Sequence, residues 1–334
     1  MTKYKLLKML DNSIEDTLNS LDSYNNILDM STSLCGFDVV NRILIEIQRD
    51  KGSNVNIKEL KTEQEIKLLR RKLSKSAKVI NVLIPIKSVK YVDAETGAEI
   101  DKSKLSLDDI KLALDNNIIK KIETASDFSV LGMYNIEDTL KSKKSEVYNA
   151  DKALVSVDNA LNMLQSITGA TIKSGESTSY NIDDGVIEIS KGHRDEMYTS
   201  ISSFIAQFII NDRLADFIDD TDELKEIRHN SKCIKLLNYS IAYTVSTVLR
   251  SKLLAEIDES ILKDIDTRQK MIIIRLCNYI GSVMLSMLDS MGNQRKSVDI
   301  NDIKESQKAE LMLNVMRANE IYRKFSDSKE FIID

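Results

Sequence analysis

Residues 180–211 read YNIDDGVIEISKGHRDEMYTSISSFIAQFIIN, and the fold of the second half of the chain turns on this stretch. Val186 and Glu188 alternate with Ile187 and Ile189 on opposite faces, which predicts a short strand. A polar loop follows, and an apolar helix starts near Asp195. Ser203 and Gln207 sit four positions apart, so they share one face of that helix, with Phe204, Ile205 and Ala206 between them. None of the five carries an imidazole, thiolate or carboxylate, so this helix face has no group that holds a metal ion tightly.

Working outward, Ala150–Gly169 has helical spacing at Leu154, Val157, Leu161 and Leu164, and the Ser/Thr/Gly-rich residues Ile172–Tyr180 predict a loop. From Glu223 onward nearly everything has helical periodicity, over 232–256, 259–290 and 301–325. Lys141–Asn149 is polar, has no apolar pattern, and is the predicted linker. Before it, residues 3–30 and Phe37–Arg49 predict helices, and Gly52–Asn56 breaks the second. Residues 58–76 predict a strongly charged helix. The β-branched run Lys78–Ile86, which contains the one proline of the chain, is the clearest strand, and Val89–Val92 continues it. Glu95–Ala98 predicts a turn, 105–121 a short polar helix or an excursion between strands, and Phe128–Tyr134 a further strand. The expected fold class is therefore α+β, and no tandem repeat is present.

The 334 residues suit about two domains. Acidic residues outnumber basic ones by 52 to 47, so the chain as a whole is not a polycation. One Pro and ten Gly leave few helix breakers. The abundance of Lys, Ile, Asn, Asp and Ser is what an AT-rich coding genome gives, and no chemistry is drawn from it. Cys35, Cys233 and Cys277 are odd in number and widely spaced, which predicts reduced thiols in a cytoplasm. The first residues carry no signal-peptide core, and no uninterrupted apolar run approaches the ~18 residues of a membrane span. No membrane partner is expected.

Several landmarks in order resemble the ArdC and LtrC-like proteins of conjugative plasmids and phages. In the first half these are Cys35–Ile45, Leu73–Pro85 and Phe128–Thr139; in the second, Tyr180–Ile189, Ser200–Gln207 and Asn238–Tyr243. The resemblance spans about residues 30–290. It implies a mixed α/β ArdC-like domain over 1–145, followed over 146–334 by a mostly helical zincin-like domain with a small sheet. In such metallopeptidases the helix carries His-Glu-x-x-His, whose two His bind zinc while the Glu activates a water. Carried across, the resemblance puts Ser203 and Gln207 at the two His positions, Phe204 at the general base and Tyr239 at the third ligand, a Glu. All four are wrong for catalysis. The expected domain is a degenerate metallopeptidase with no catalytic residues, no metal and no cofactor, its old cleft filled by apolar side chains.

The chain has two histidines. His193 begins the order His193-Arg194-Asp195-Glu196-Met197, where Met197 stands in place of the second His of an inverted zincin motif. His193 is expected in a surface loop before the helix, and His229 at a polar helix end. The paired carboxylates Asp183-Asp184 and Asp219-Asp220 lie in polar turns, too isolated for a metal-dependent nuclease. No P-loop, GxGxxG or GxSxG occurs, and Met271, Met284, Met287 and Met291 have the spacing of core packing.

Residues 58–90 stand out from the acidic background, with ten basic residues against Glu59, Glu63 and Glu65. Lys67, Arg70, Arg71, Lys72, Lys75, Lys78, Lys87 and Lys90 are candidate phosphate contacts. Tyr91 is the candidate stacking platform that single-strand binders add, whereas Phe37 and Phe128 suit a core. On helical spacing, Lys67, Arg71, Lys75 and Lys78 line one face. The ArdC resemblance implies single-stranded DNA as partner. Alternatives are a solvated charged helix or an acidic protein partner.

Two functions are weighed. The first is a non-catalytic DNA-binding protein of antirestriction or anti-defence type, from a phage or conjugative element, in the host cytoplasm. The second is an interaction module that holds a host or phage protein in the former substrate groove. An active peptidase with an unusual metal site is a third and lesser reading.

Overall fold

The computed structural model describes residues 1–293 apart from 35, 50–56, 58, 102–104, 142–154, 182–183, 191 and 219. The expected linker and the helix expected over 301–325 lie largely or wholly outside these residues, as does Cys35. The fold is α+β.

The apolar pattern of residues 3–30 forms two helices, because Ser20 leaves helical geometry and its hydroxyl accepts from Ser23 N–H at 3.4 Å. Helix α1 runs Lys3–Asn19 and α2 Leu21–Ser33. Helix α3, Val39–Gln48, is capped by Asp38, which accepts from Asn41 N–H at 2.8 Å.

A four-stranded sheet has the order β1-β5-β3-β4, from Leu60–Lys61 (β1), Ile80–Asp93 (β3), Glu99–Ile100 (β4) and Ile119–Asn135 (β5). The two strand predictions Lys78–Ile86 and Val89–Val92 are one strand, continuous through a register shift at Ile86/Lys87. With β5 it forms an antiparallel ribbon about 45 Å long. A short helix, α5 (Leu107–Asp115), lies between β4 and β5. Where β3 has no strand on its second side, α3 supplies side-chain amides instead. Asn41 Nδ2 donates to Leu83 O at 2.9 Å, and Leu83 N–H donates to Asn41 Oδ1 at 2.7 Å. Two turns on, Gln48 Nε2 donates to Asn81 O at 2.8 Å and Asn81 N–H returns to Gln48 Oε1 at 2.9 Å.

The charged helix expected over 58–76 is not there. Thr62 and Glu65 form a capping box that starts a helix, α4, of only Glu63–Leu68. It lacks a continuing apolar face: Leu68 is 82% and Leu69 44% exposed. The chain turns at Arg70, a non-glycine residue in the left-handed region at φ 54°. Strand β2 (Arg71–Leu73) then pairs antiparallel with β6 (Thr139–Lys141).

In the second half, α6 (Val157–Thr168) ends at Gly169 in the left-handed region. The stretch expected as a loop, Ile172–Tyr180, holds two strands: β7 (Thr171–Gly175) and β8, which runs Ser179–Asn181. Both flank β9 (Val186–Ser190), β7 in parallel and β8 antiparallel. Thr171, Ser174 and Ser179 are exposed, so the pairing rests on backbone bonds to β9 rather than on an apolar pattern. The alternation read in β9 holds, with Ile187 and Ile189 buried.

Helix α7 is Arg194–Phe208, and α8 (Thr221–Arg228), α9 (Ser231–Leu249), α10 (Ser260–Lys263) and α11 (Thr267–Asn293) follow. The helix expected over 232–256 stops at Leu249. Arg250 turns left-handed at φ 57°, and Ser251 N–H closes back on Ser246 O at 2.9 Å, the helix-ending pattern usually built on glycine.

One apolar core runs through α1, α2, α3, α6, α7, α9 and α11 and therefore crosses the expected 145/146 boundary. A smaller cluster lies between the first sheet and the α2–α3 end, with Met30, Ile45, Val82 and Met133 buried and Phe37 against them. Polar bridges also cross the boundary: Tyr24 Oη with Ser240 Oγ at 2.9 Å, and Lys270 Nζ donating to Asn19 Oδ1 at 2.6 Å. Thr267–Met291 of α11 is long and apolar enough to cross a membrane, but most of it is buried among the other helices, as in a core helix. Its Gly281 lets α11 close on α2 and α9, since a Cβ there would meet Thr244 Cγ2 at 3.2 Å and Ser31 O at 3.4 Å.

Candidate functional site

The basic segment forms a corner rather than a helix face. Lys67 ends α4 and pairs with Glu63 at 2.7 Å, while Arg70 (in the turn), Lys72 (on β2), Lys75 and Lys78 are exposed. No acidic residue occurs between Glu65 and Asp93. Arg71 is the exception. It is 9% exposed and points inward, its Nε donating to Thr139 Oγ1 and its Nη2 to Ile136 O at 3.2 Å and Thr139 O at 3.3 Å. Its guanidinium braces β2 against β6 through Nε and Nη2. The face shared by Lys67, Arg71, Lys75 and Lys78 therefore does not exist. Further along the ribbon, Lys90 pairs with Glu99 at 2.9 Å and Tyr91 is half-buried opposite Lys121. The Lys87 side chain lies outside the described residues. Exposed Lys121 on β5 shares the face of Tyr91, and exposed Lys120 shares the opposite face with Lys90, pairings no local sequence pattern announces. Phe128 packs on the main core, as its apolar setting suggested.

The four positions that the resemblance matched to a zinc site separate into two pairs. Ser203 and Tyr239 meet across α7 and α9 and line one cleft of about 480 Å³. Phe204 turns away and packs on the main core, and Gln207 is exposed; neither lines that cleft. The apolar filling expected around these positions does not extend to Ser203 and Tyr239, which line open space. Tyr239 Oη donates to Asn25 Oδ1 at 3.1 Å, tying α9 to α2, and burial pushes its pKa up. A hydroxyl, a neutral phenol and an amide do not make a zinc site, and among the described residues no three His, Cys, Asp or Glu side chains converge. His193 caps α7, its N–H donating to the Glu196 carboxylate at 3.3 Å, so the His-x-x-Glu order serves helix initiation. His229 Nδ1 lies 2.7 Å from Lys225 O at the end of α8. Burial raises the Cys233 thiol to about 11 and Cys277 to about 12, so neither is a thiolate nucleophile.

No protein-family model and no curated protein matches this chain. Among solved structures it is similar to the metal-free crystal structure of the antirestriction protein ArdC of plasmid R388. The two are 16% identical, with a TM-score of 0.35, over 75% of this chain and 84% of that one. Likeness at that level assigns neither a family nor a function.

Sequence reasoning missed the rest of the cleft wall. Lys232, Lys235 and Asn238 of α9 line it, with Ala255–Asp258 from the connection between α9 and α10. Lys232 pairs with Asp264 at 2.8 Å. Asn238 Oδ1 is buried and accepts no hydrogen bond among the described residues. The connection was hidden because Leu253, Leu254 and Ile257 continue the helical spacing of α9, while the stop signal at Arg250 is not a glycine.

Proposed function

We propose that this chain is a nucleic-acid-binding protein that acts by binding rather than by cleavage, in the antirestriction or anti-defence setting of a phage or conjugative element and in the host cytoplasm. The observation that carries the reading is the run of five exposed cations, Lys67, Arg70, Lys72, Lys75 and Lys78, with no acidic residue among them. Such a corner neutralises consecutive phosphates and releases counterions. The ArdC-like order of motifs supports single-stranded DNA as the ligand. The test is binding of a labelled single-stranded oligonucleotide across a salt series. Reversing Arg70, Lys72 and Lys75 to Glu should cost at least about tenfold in affinity and flatten the log–log salt slope by about 2. Arg71 is left intact because its loss would open β2–β6. Unchanged binding and slope would remove the proposal.

A second reading is favoured by one observation, the cleft that still joins Ser203 to Tyr239. In it the emptied peptidase-like domain holds a protein partner. Ser203→Trp would block that cleft and leave the basic corner untouched.

A further inference from the structure

After Arg250 the chain runs from Ser251 to Asp258 with no turn, bend or assigned pairing. Leu253 and Ile257 are half-buried and pack against the main core, which holds the run to the protein. Leu254 N–H donates to Thr199 Oγ1 of α7 at 3.1 Å. Among the described residues, the backbone groups of 252–257 make no backbone–backbone hydrogen bond. Exposure alternates along the run, with Ser251, Leu253 and Ile257 half-buried and Lys252, Leu254, Glu256 and Asp258 exposed, and an edge of unpaired N–H and C=O groups is a template for another chain.

The ground beside it is built to receive one. Ala255, Glu256, Ile257 and Asp258 form one wall of the ~480 Å³ cleft, and Lys235, Asn238 and Tyr239 of α9 form another. Lys235 and Glu256 have no ion pair among the described residues, and they place a cation on the helix wall and an anion on the run.

We infer that Ser251–Asp258 is a docking strand that takes an extended segment of a partner protein by strand addition, with the guest lying in the Ser203–Tyr239 cleft. Main-chain bonds to 252–257 supply much of the affinity, and a guest carboxylate toward Lys235 with a guest cation toward Glu256 sets the direction. The inference rests on the second reading above and names its ligand chemistry.

The test uses the full-length protein and a phage-displayed library of random dodecapeptides, whose enriched members are synthesised and titrated by fluorescence polarisation. Each is also made with N-methyl groups at alternate positions, in two complementary sets. One set should weaken binding at least about tenfold, the other little, because only one edge of the guest pairs with the run. The double reversal Lys235→Glu, Glu256→Lys should weaken the same peptides. In hydrogen exchange, amides 253, 255 and 257, on the edge opposite the Leu254–Thr199 bond, should exchange fast in the free protein and slow with peptide bound. Peptides blocked by Ser203→Trp but indifferent to both N-methyl sets would overturn strand addition while leaving a protein-holding cleft standing. No enriched peptide would overturn both. Slow exchange of 253, 255 and 257 in the protein alone would also overturn the inference, since the edge would then be covered by residues 294–334 or by a second copy.

Discussion

Asn41 and Gln48 do for β3 what a neighbouring strand would do, each offering a donor and an acceptor to one residue of the strand edge. Leu83 is only 1% exposed, so losing the amide leaves its N–H and C=O without water or partner. Asn41→Leu keeps the volume and should cost roughly 2–4 kcal/mol in urea unfolding; a loss below ~0.5 kcal/mol would show that the amide bonds add little. Asp38, capping the same helix, makes a second case. Burial pushes its pKa up, against hydrogen bonds from Asn41 and the nearby Arg42 charge. An acid that holds its proton more tightly when folded lowers stability as pH rises from its unfolded value through its folded one. Asp38→Asn keeps the cap without that titration. Its stability relative to the parent should therefore climb as pH rises above about 4, read from urea midpoints at each pH. A constant difference would sink this. Asn41 was legible in the sequence as part of a motif, but its partner on β3 was not, because a bond between residues 42 positions apart leaves no local trace.

At the scale of elements, α4 and β2 show how charge can mislead. A run of lysines and arginines has good helix propensity, and the charged helix expected over 58–76 followed from it. What decides is the missing apolar face and the left-handed Arg70, so the cations spread over a helix end, a turn and a strand. Glycine is the usual residue in such a turn, yet a cation stands there at some conformational cost. Arg70→Gly should therefore raise stability by up to ~1 kcal/mol while weakening single-stranded DNA binding. Thermal melts and oligonucleotide titration on the same sample check both signs; a stabilised variant with full affinity would place Arg70 outside the interface. The strands β3 and β9 and the helix α7 were legible because β-branched runs and alternation are local signals. Strand β7 was not, because its pairing is written in β9 rather than in its own residues.

For the whole molecule, the two-part division read from the motifs meets a core that does not respect it. Leu6, Leu10, Tyr24, Ile27 and Leu28 are buried in the same cluster as residues of α9 and α11. A fragment of residues 1–145 is expected to expose these apolar faces, bind a hydrophobic dye and unfold without a sharp transition. A monomeric fragment with a cooperative melt would show instead that the first half folds by itself. The same crossing has a consequence in time. Tyr24 and Ser240 stand 216 positions apart. At ~5–20 residues per second, α2 leaves the ribosome roughly 10–40 s before the helix that covers it. In that interval the nascent chain carries its first helices uncovered, which makes it a client for ribosome-associated chaperones and ties its yield to the pace of translation.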